Sequence, residues 1–346
     1  MDSGSNKSIA EIVAGNDLNE LLRAINAACA RSDWDALVEI GERCERAIER
    51  GFQLWPAAHH AAYRLALEAP SEWAGEVVID GAAKFAPGPL SEVVAQFHEW
   101  AELAPFIPEG PAGAFAMYER VLRGEDLTEY VLDEPDPLEL PRVLQHWEPR
   151  YALAEYKSDG ASFPSPPPPN FRSQPIAAPS KTFEDPESTG ALLALVQGWR
   201  NSSRTVAQAV AVDGDAASCV AVIDPEVTRM AQIAGSDAMA WMAWAASSGG
   251  ATGRRRGGAI GRLDAWVAVA ALAGFEEWPV EPDEIGAALS GFDWWCWEPS
   301  QPVSGWSLYL AVDDPDTGEA WAIGANDPGE VGDEAASNGT GEEAQF

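Results

Sequence analysis

Positive charge is scarce in this chain. Lys and Arg together number 22 against 55 Asp and Glu, a formal net charge of −33 over 346 residues. No Lys or Arg follows Arg262, whereas residues 263–346 hold 18 carboxylates. General nucleic-acid binding needs clustered cations that release counterions from phosphates, and docking on anionic bilayers needs them too. Neither is expected. Cysteine is also sparse: Cys29, Cys44, Cys219 and Cys296 form no CxxC pair, which argues against a disulfide framework or a zinc ribbon. His59, His60, His98 and His146 lack ligand spacing of the HExxH kind, so no metal is expected. The longest apolar run, 265–275, is too short to span a bilayer. The opening MDSGSNKSIAEIV has no basic stretch followed by an apolar one, so no signal peptide is expected and the setting reads as cytoplasmic. No G-x-S-x-G, dinucleotide fingerprint or Cys/His nucleophile arrangement is present, and no cofactor is expected. That leaves open whether the chain is an enzyme, because catalytic groups can converge from distant positions.

What is there is mostly helical pattern. With 46% hydrophobic residues the chain can bury more than one core. Leu18, Leu21, Leu22, Ile25 and Cys29 recur at helical spacing, as do Leu37, Ile40, Cys44 and Ile48. Asp17 and Ser32 or Asp33 are candidate caps, since their side chains accept from free first-turn amides. Further helices are expected at 55–68, at 74–85, from Pro89 or Leu90 with Phe97 on the buried face, and from Pro111. Acid-Trp pairs at Asp33-Trp34, Glu72-Trp73 and Glu99-Trp100 recur at irregular intervals. The expectation for 1–156 is therefore an irregular, helical-repeat-like bundle. Residues 157–188 are rich in Pro and Ser, with four consecutive prolines at 166–169 that favour an extended spacer. They read as a linker. A second domain, 189–327, is expected to hold helices from about Leu192, over 225–247 and from Ile260, then a short one from Pro282. After these, DWWCWEP, WSLYLAV, DDPDTG and AWAIGA read as a hairpin with a third strand. Residues 328–346 have almost nothing to bury and read as a disordered acidic tail. The fold class expected is mainly α, with a small antiparallel β hairpin or sheet near the C-terminus.

The sharpest local feature is SSGGATGRRRGGAIGR, at 247–262. Glycines let amides turn toward a ligand, a helix start attracts anions, and arginine grips oxyanions with two donors. Gly250, Gly253, Arg254, Arg255, Arg256 and Arg262 are the candidate anion-binding residues. The arrangement is not the P-loop, because no Lys-Ser/Thr pair follows the glycines and no strand pattern precedes them. The competing reading is a helix connection whose arginines neutralise carboxylates such as Asp264. Trp294, Trp295, Trp297, Trp306 and Trp321 can stack on sugars or cations, but alternation along strands turns some inward, and core packing is the favoured reading.

Two stretches, PGPLSEVVAQFHEWAELAPFIPEGPAGAFAMYERVLRGEDL and SSGGATGRRRGGAIGRLDAWVAVAALAG, resemble segments of uncharacterised hypothetical proteins of actinobacteria and related high-GC bacteria. The resemblance implies a bacterial cytoplasmic setting and carries over no activity and no functional residue. The leading function is a non-enzymatic interaction or adaptor protein with a protein partner, a basic one by charge. The alternative is a phosphate- or nucleotide-binding protein, an enzyme among the possibilities, using the loop at 249–262.

Overall fold

The computed structural model describes residues 7–108, 110–130, 135–201, 204–329 and 343–345. Helices come first: α1 (Ile9–Ala14), α2 (Leu18–Ala30), α3 (Trp34–Ile48) and α4 (Trp55–Glu68). Asp17 accepts from the Glu20 amide at 3.1 Å and Asp33 from the Ala36 amide at 3.3 Å, so each occupies a first-turn donor that the helix leaves open. The apolar faces of α2 to α4 meet in one cluster around Leu21, Ile25, Leu37, Ile40, Ala61 and Leu65. Short helices follow: α5 (Ser71–Glu76), α6 (Leu90–Val94) and α7 (Trp100–Leu103), then α8 (Pro111–Leu122). The helix expected from Pro89 stops early, and Phe97 is 59% exposed rather than packed. The stop has visible causes. Arg120 captures the Ala95 carbonyl at 2.6 Å, and the Gln96 side chain pairs with the Tyr156 backbone in both directions, at 3.0 and 2.6 Å.

The expected fold class is overturned. Instead of a small hairpin, the chain builds a seven-stranded, wholly antiparallel sheet. A separate hairpin, β1 (Glu155–Lys157) and β2 (Gly160–Ser162), precedes it. The sheet strands are β3 (Arg172–Ser173), β4 (Lys181–Phe183), β5 (Val206–Asp213), β6 (Arg229–Ile233), β7 (Asp293–Trp297), β8 (Trp306–Asp314) and β9 (Glu319–Asp327). Their order is β3-β6-β7-β8-β9-β5-β4. The β8–β9 hairpin forms as expected, with Asp314 opposite Glu319. Asp314 accepts from the Asp316 amide and the Thr317 hydroxyl, which shapes the turn. Residues 225–247 divide into strand β6 and helix α11 (Gly235–Ser247) rather than forming one helix. Residues 343–345, β10 (Glu343–Gln345), also pair with β2. The tail expectation for 328–346 falls for the most part outside the described residues.

Both faces of the sheet are covered. Helix α9 (Pro186–Ala194) and α11 pack on the face that carries Leu308, Leu310, Val312, Trp321 and Ile323, and α12 (Gly258–Leu272) packs against both of those helices. Helix α10 (Ala216–Ile223) covers the opposite face, where Val212, Trp297, Ala311, Ala320 and Ala322 sit. Alternate residues of β8 and β9 therefore go to different helical layers, as the period of two requires. Helix α13 (Pro282–Gly291) closes the end of α11 and α12 and leads into β7. Trp294 and Cys296 are buried and Trp295 between them is only half-buried, so the strand alternates as the sequence indicates. Among the described residues no helix is long and apolar enough to cross a membrane.

One hydrophobic cluster takes buried residues from both sides of the Pro-rich segment, with Tyr63, Trp100, Tyr118 and Tyr156 before it and Trp199, Trp266 and Trp294 after it. Limited proteolysis tests how far 1–156 and 189–327 are separate units. The expected outcome is cutting in the irregular parts of 163–180, with two fragments that co-elute on a sizing column because they share this cluster. Fragments that separate and each melt cooperatively would establish two autonomous domains.

Candidate functional site

Helix α11 ends at Ser247 and α12 starts at Gly258, so the Gly/Arg segment is the connection between two adjacent helices. Gly250 has φ +71° and lies so close to its surroundings that a Cβ would come 2.4 Å from Oδ2 of Asp327. Gly257, the residue before α12, has φ +104°, a conformation open to glycine and strained for side-chain-bearing residues. Gly253 folds back on the backbone of Gly249. The segment does turn amides toward anions, and in this structure those anions belong to the chain. Asp327, fully buried, accepts from the Ala251 amide at 2.9 Å. Glu92 accepts from the Gly258 amide at 3.2 Å, and Glu119 from the Ala259 amide at 2.7 Å. The first turn of α12 thus carries two carboxylates where its unpaired N–H groups and dipole favour negative charge.

The arginines divide in the same way. Arg255 grips Glu92 with Nε and Nη2 at 2.8 and 2.7 Å, and Tyr156 adds its hydroxyl to the same carboxylate at 2.6 Å. Its guanidinium also lies 5.0 Å from the Phe163 ring centre. Arg262 grips Glu148 with Nε and Nη2 at 2.8 and 2.7 Å and donates to the Pro141 and Val143 carbonyls. Both side chains of that pair are fully buried. Arg256 meets Asp264 at 2.6 Å, one of the carboxylates named in the competing sequence reading. Arg254 is exposed at the surface and donates to the Ala83 carbonyl at 3.3 Å. Of the six candidate residues, four are arginines, and three of those already hold a carboxylate.

Burial opposes ionisation of Glu92, but the charge and hydrogen bonds of Arg255 and the Tyr156 hydroxyl outweigh it and hold the carboxyl below its usual range. Glu148 is lowered against the same opposition, by Arg262. Glu119 goes the other way: burial first, then the neighbouring Glu92, push it up to about 8. The carboxylate partners Glu92, Glu119 and Glu148 and the hydroxyl of Tyr156 are invisible to a sequence reading. Glu92 and Arg255 are 163 residues apart, and nothing local marks the acidic member as buried.

A second feature lies at the opposite end of α12. A cleft of about 660 Å³ is lined by Asp185, Glu187, Glu284, Asp314, Asp316 and Glu319, with Phe275, Phe292 and Trp321 among the apolar residues. Among the described residues, no Lys, Arg or His is in the lining. Residues 271–274, the last turn of α12 and the residues after it, form one wall, so the negative end of the helix dipole faces the same space. Trp321 donates to Asp185 at 2.8 Å, fixing one carboxylate against the aromatic side.

A family model described as a family of unknown function (DUF6183) matches residues 19–329, and the chain belongs to that family. No curated protein and no solved structure matches it.

Breaking the clamp is expected to be severe. Arg255→Ala leaves Glu92 buried without its cation and should lower stability by about 3–5 kcal/mol in denaturant unfolding. Arg254→Ala, at an exposed side chain, should stay within about 0.5 kcal/mol of wild type. The same protein set, with Arg→Lys versions at 254, 255 and 256, tests an external anion when melted with phosphate, sulfate and nucleotides. Ligand-dependent stabilisation lost in Lys variants that stay folded would assign the loop a foreign oxyanion.

Proposed function

We propose that this DUF6183 family member is a non-enzymatic interaction protein whose cleft between α9, the end of α12, α13 and the β8–β9 hairpin takes a cationic segment of a protein partner. The observation that carries the reading is the lining: among the described residues, six carboxylates, no cation and an aromatic side in one concave site. A Lys- or Arg-bearing segment supplies the missing charge, and its aliphatic stems can cover Phe275 and Phe292 while the charged heads reach the rim. The aromatic faces add favourable contacts with cations. Long-range attraction acts in the same direction, because the chain has no Lys or Arg after Arg262 and carries −33 overall. The four cysteines are unpaired and buried, which supports a reducing, cytoplasmic setting.

The test uses Glu187→Gln, Glu284→Gln and Glu319→Gln together, titrated with a Lys/Arg-rich peptide and with a neutral peptide of equal length. Wild type is expected to bind the cationic peptide with an affinity that falls steeply between low and high salt. The triple variant should bind about tenfold or more weakly while its unfolding free energy moves by no more than about 0.5 kcal/mol per site. Equal affinity for the two peptides, or an unchanged affinity in the variant, would remove the cleft from the interaction.

A further inference from the structure

Glu92 and Glu119 reach the same helix start from different directions and with different support. Glu92 comes from α6 and holds the bidentate Arg255 and the Tyr156 hydroxyl. Glu119 comes from α8, is 1% exposed, and has one oxygen on the Ala259 amide. Its other oxygen, Oε2, is buried and accepts no hydrogen bond. The cation paired with that oxygen is Arg123, the residue that follows α8, at 3.6 Å and too far for a hydrogen bond. Arg120, next in sequence, is taken by Glu125 and the Ala95 carbonyl. The charged and titratable groups facing Glu119 are therefore Glu92 from α6, Arg255 from the loop before α12, Tyr156 from β1 and Arg123 from the end of its own helix, just past Leu122. Pro89 and Leu122 close the space around Gly257 and Gly258 with apolar surface.

We propose that Glu119 is a proton-controlled latch between α8 and the start of α12. Carrying a proton, it lies beside Glu92 without a second buried negative charge, and the joint stays shut. Without it, two carboxylates share one buried helix start with only Arg255 gripped in full geometry, and the joint loosens. An uncharged carboxyl also suits a buried oxygen that accepts nothing, since an unpaired buried charge costs far more than a neutral polar group. The direction of the shift at Glu119 agrees with this geometry. Its sign decides the pH window. The folded state holds the proton more tightly than the unfolded chain does, so the contribution is complete below the ordinary carboxylate range and disappears as pH rises through about 8.

Amide hydrogen exchange across 255–262 tests the latch, corrected for the intrinsic pH dependence of exchange. In wild type, protection at Gly258 and Ala259 should fall by up to about tenfold per pH unit as pH rises from the ordinary carboxylate range and level off above about 8. Glu119→Gln keeps the shape without the charge and should remove that dependence, while the background from the chain's other carboxylates remains. Carbon-13 titration of the Glu119 side-chain carboxyl in unmodified protein gives the second readout, with an expected midpoint near 8. A midpoint in the usual carboxylate range overturns the proposal, whether or not the variant folds. So does the same loss of protection in wild type and a folded Glu119→Gln.

Discussion

The grip of Arg255 on Glu92 sets the relation between the first helices and the rest of the molecule. Both groups are out of solvent, so each has lost its hydration, and attraction alone rarely outweighs that loss. Here the pair has two parallel hydrogen bonds, a third from Tyr156 and a fourth from the Gly258 amide. With its lone pairs occupied in this way, the carboxylate has one acceptable position. That position fixes α6, β1 and the start of α12 together. Apolar contact between the same elements would tolerate a shift along the helix; a bidentate buried pair does not. Arg262 and Glu148 repeat the device further along α12, and Trp266 and Tyr151 both donate to that carboxylate.

Helix α12 is consequently asymmetric. Its positive end is buried and met by the Glu92 carboxylate, which Arg255 balances, and by the carboxyl of Glu119. Its negative end opens on a cleft lined with carboxylates. Complementing that end calls for cations in the last turn, and none is available because residues 263–346 have no Lys or Arg. The charge excess of the chain is therefore not spread evenly in its consequences. Cations are drawn inward to neutralise buried carboxylates, and uncompensated negative potential is left where the sheet hairpin and the end of α12 meet. A cationic partner is proposed for that place because the imbalance is local and concave there.

Several elements are legible in the sequence because they are locally determined. Asp17 and Asp33 cap where a short acceptor before an apolar stripe should cap, and DDPDTG turns between two strands whose residues favour sheet. Trp294 and Trp295 separate onto opposite faces by the period of two. The other strands lack such signals. β5 is VAQAVAVD, rich in alanine and covered by helices on both faces, so its hydrophobic contrast is low. β6 has five residues beginning soon after Pro225, and β3 and β4 are two- and three-residue edge strands inside a Pro/Ser-rich stretch. These strands owe their form to partners far along the chain, β6 to β7 and β5 to β9, and pairing of that kind overrides local preference.

The Gly/Arg connection shows the same limit in chemical form. Glycine-freed amides, a helix start and clustered guanidinium groups make an anion-binding environment, and that much can be read from 247–262 without a structure. The identity of the anion depends on what the fold brings there. Carboxylates of the chain occupy the amides of Ala251, Gly258 and Ala259 and three of the guanidinium groups. A foreign oxyanion at those positions would have to displace groups tethered to the same molecule, whose effective concentration does not fall on dilution. Displacing Glu92 or Glu148 would also leave a carboxylate stranded in an apolar interior, a penalty that a surface oxyanion site does not carry. Arg254 is the arginine of the segment that stays exposed and, among the described residues, has no carboxylate at salt-bridge distance, so any external anion would meet it first. The physics that makes such a loop look like a ligand site is the same physics that lets it lock a fold; burial of the anion separates the two.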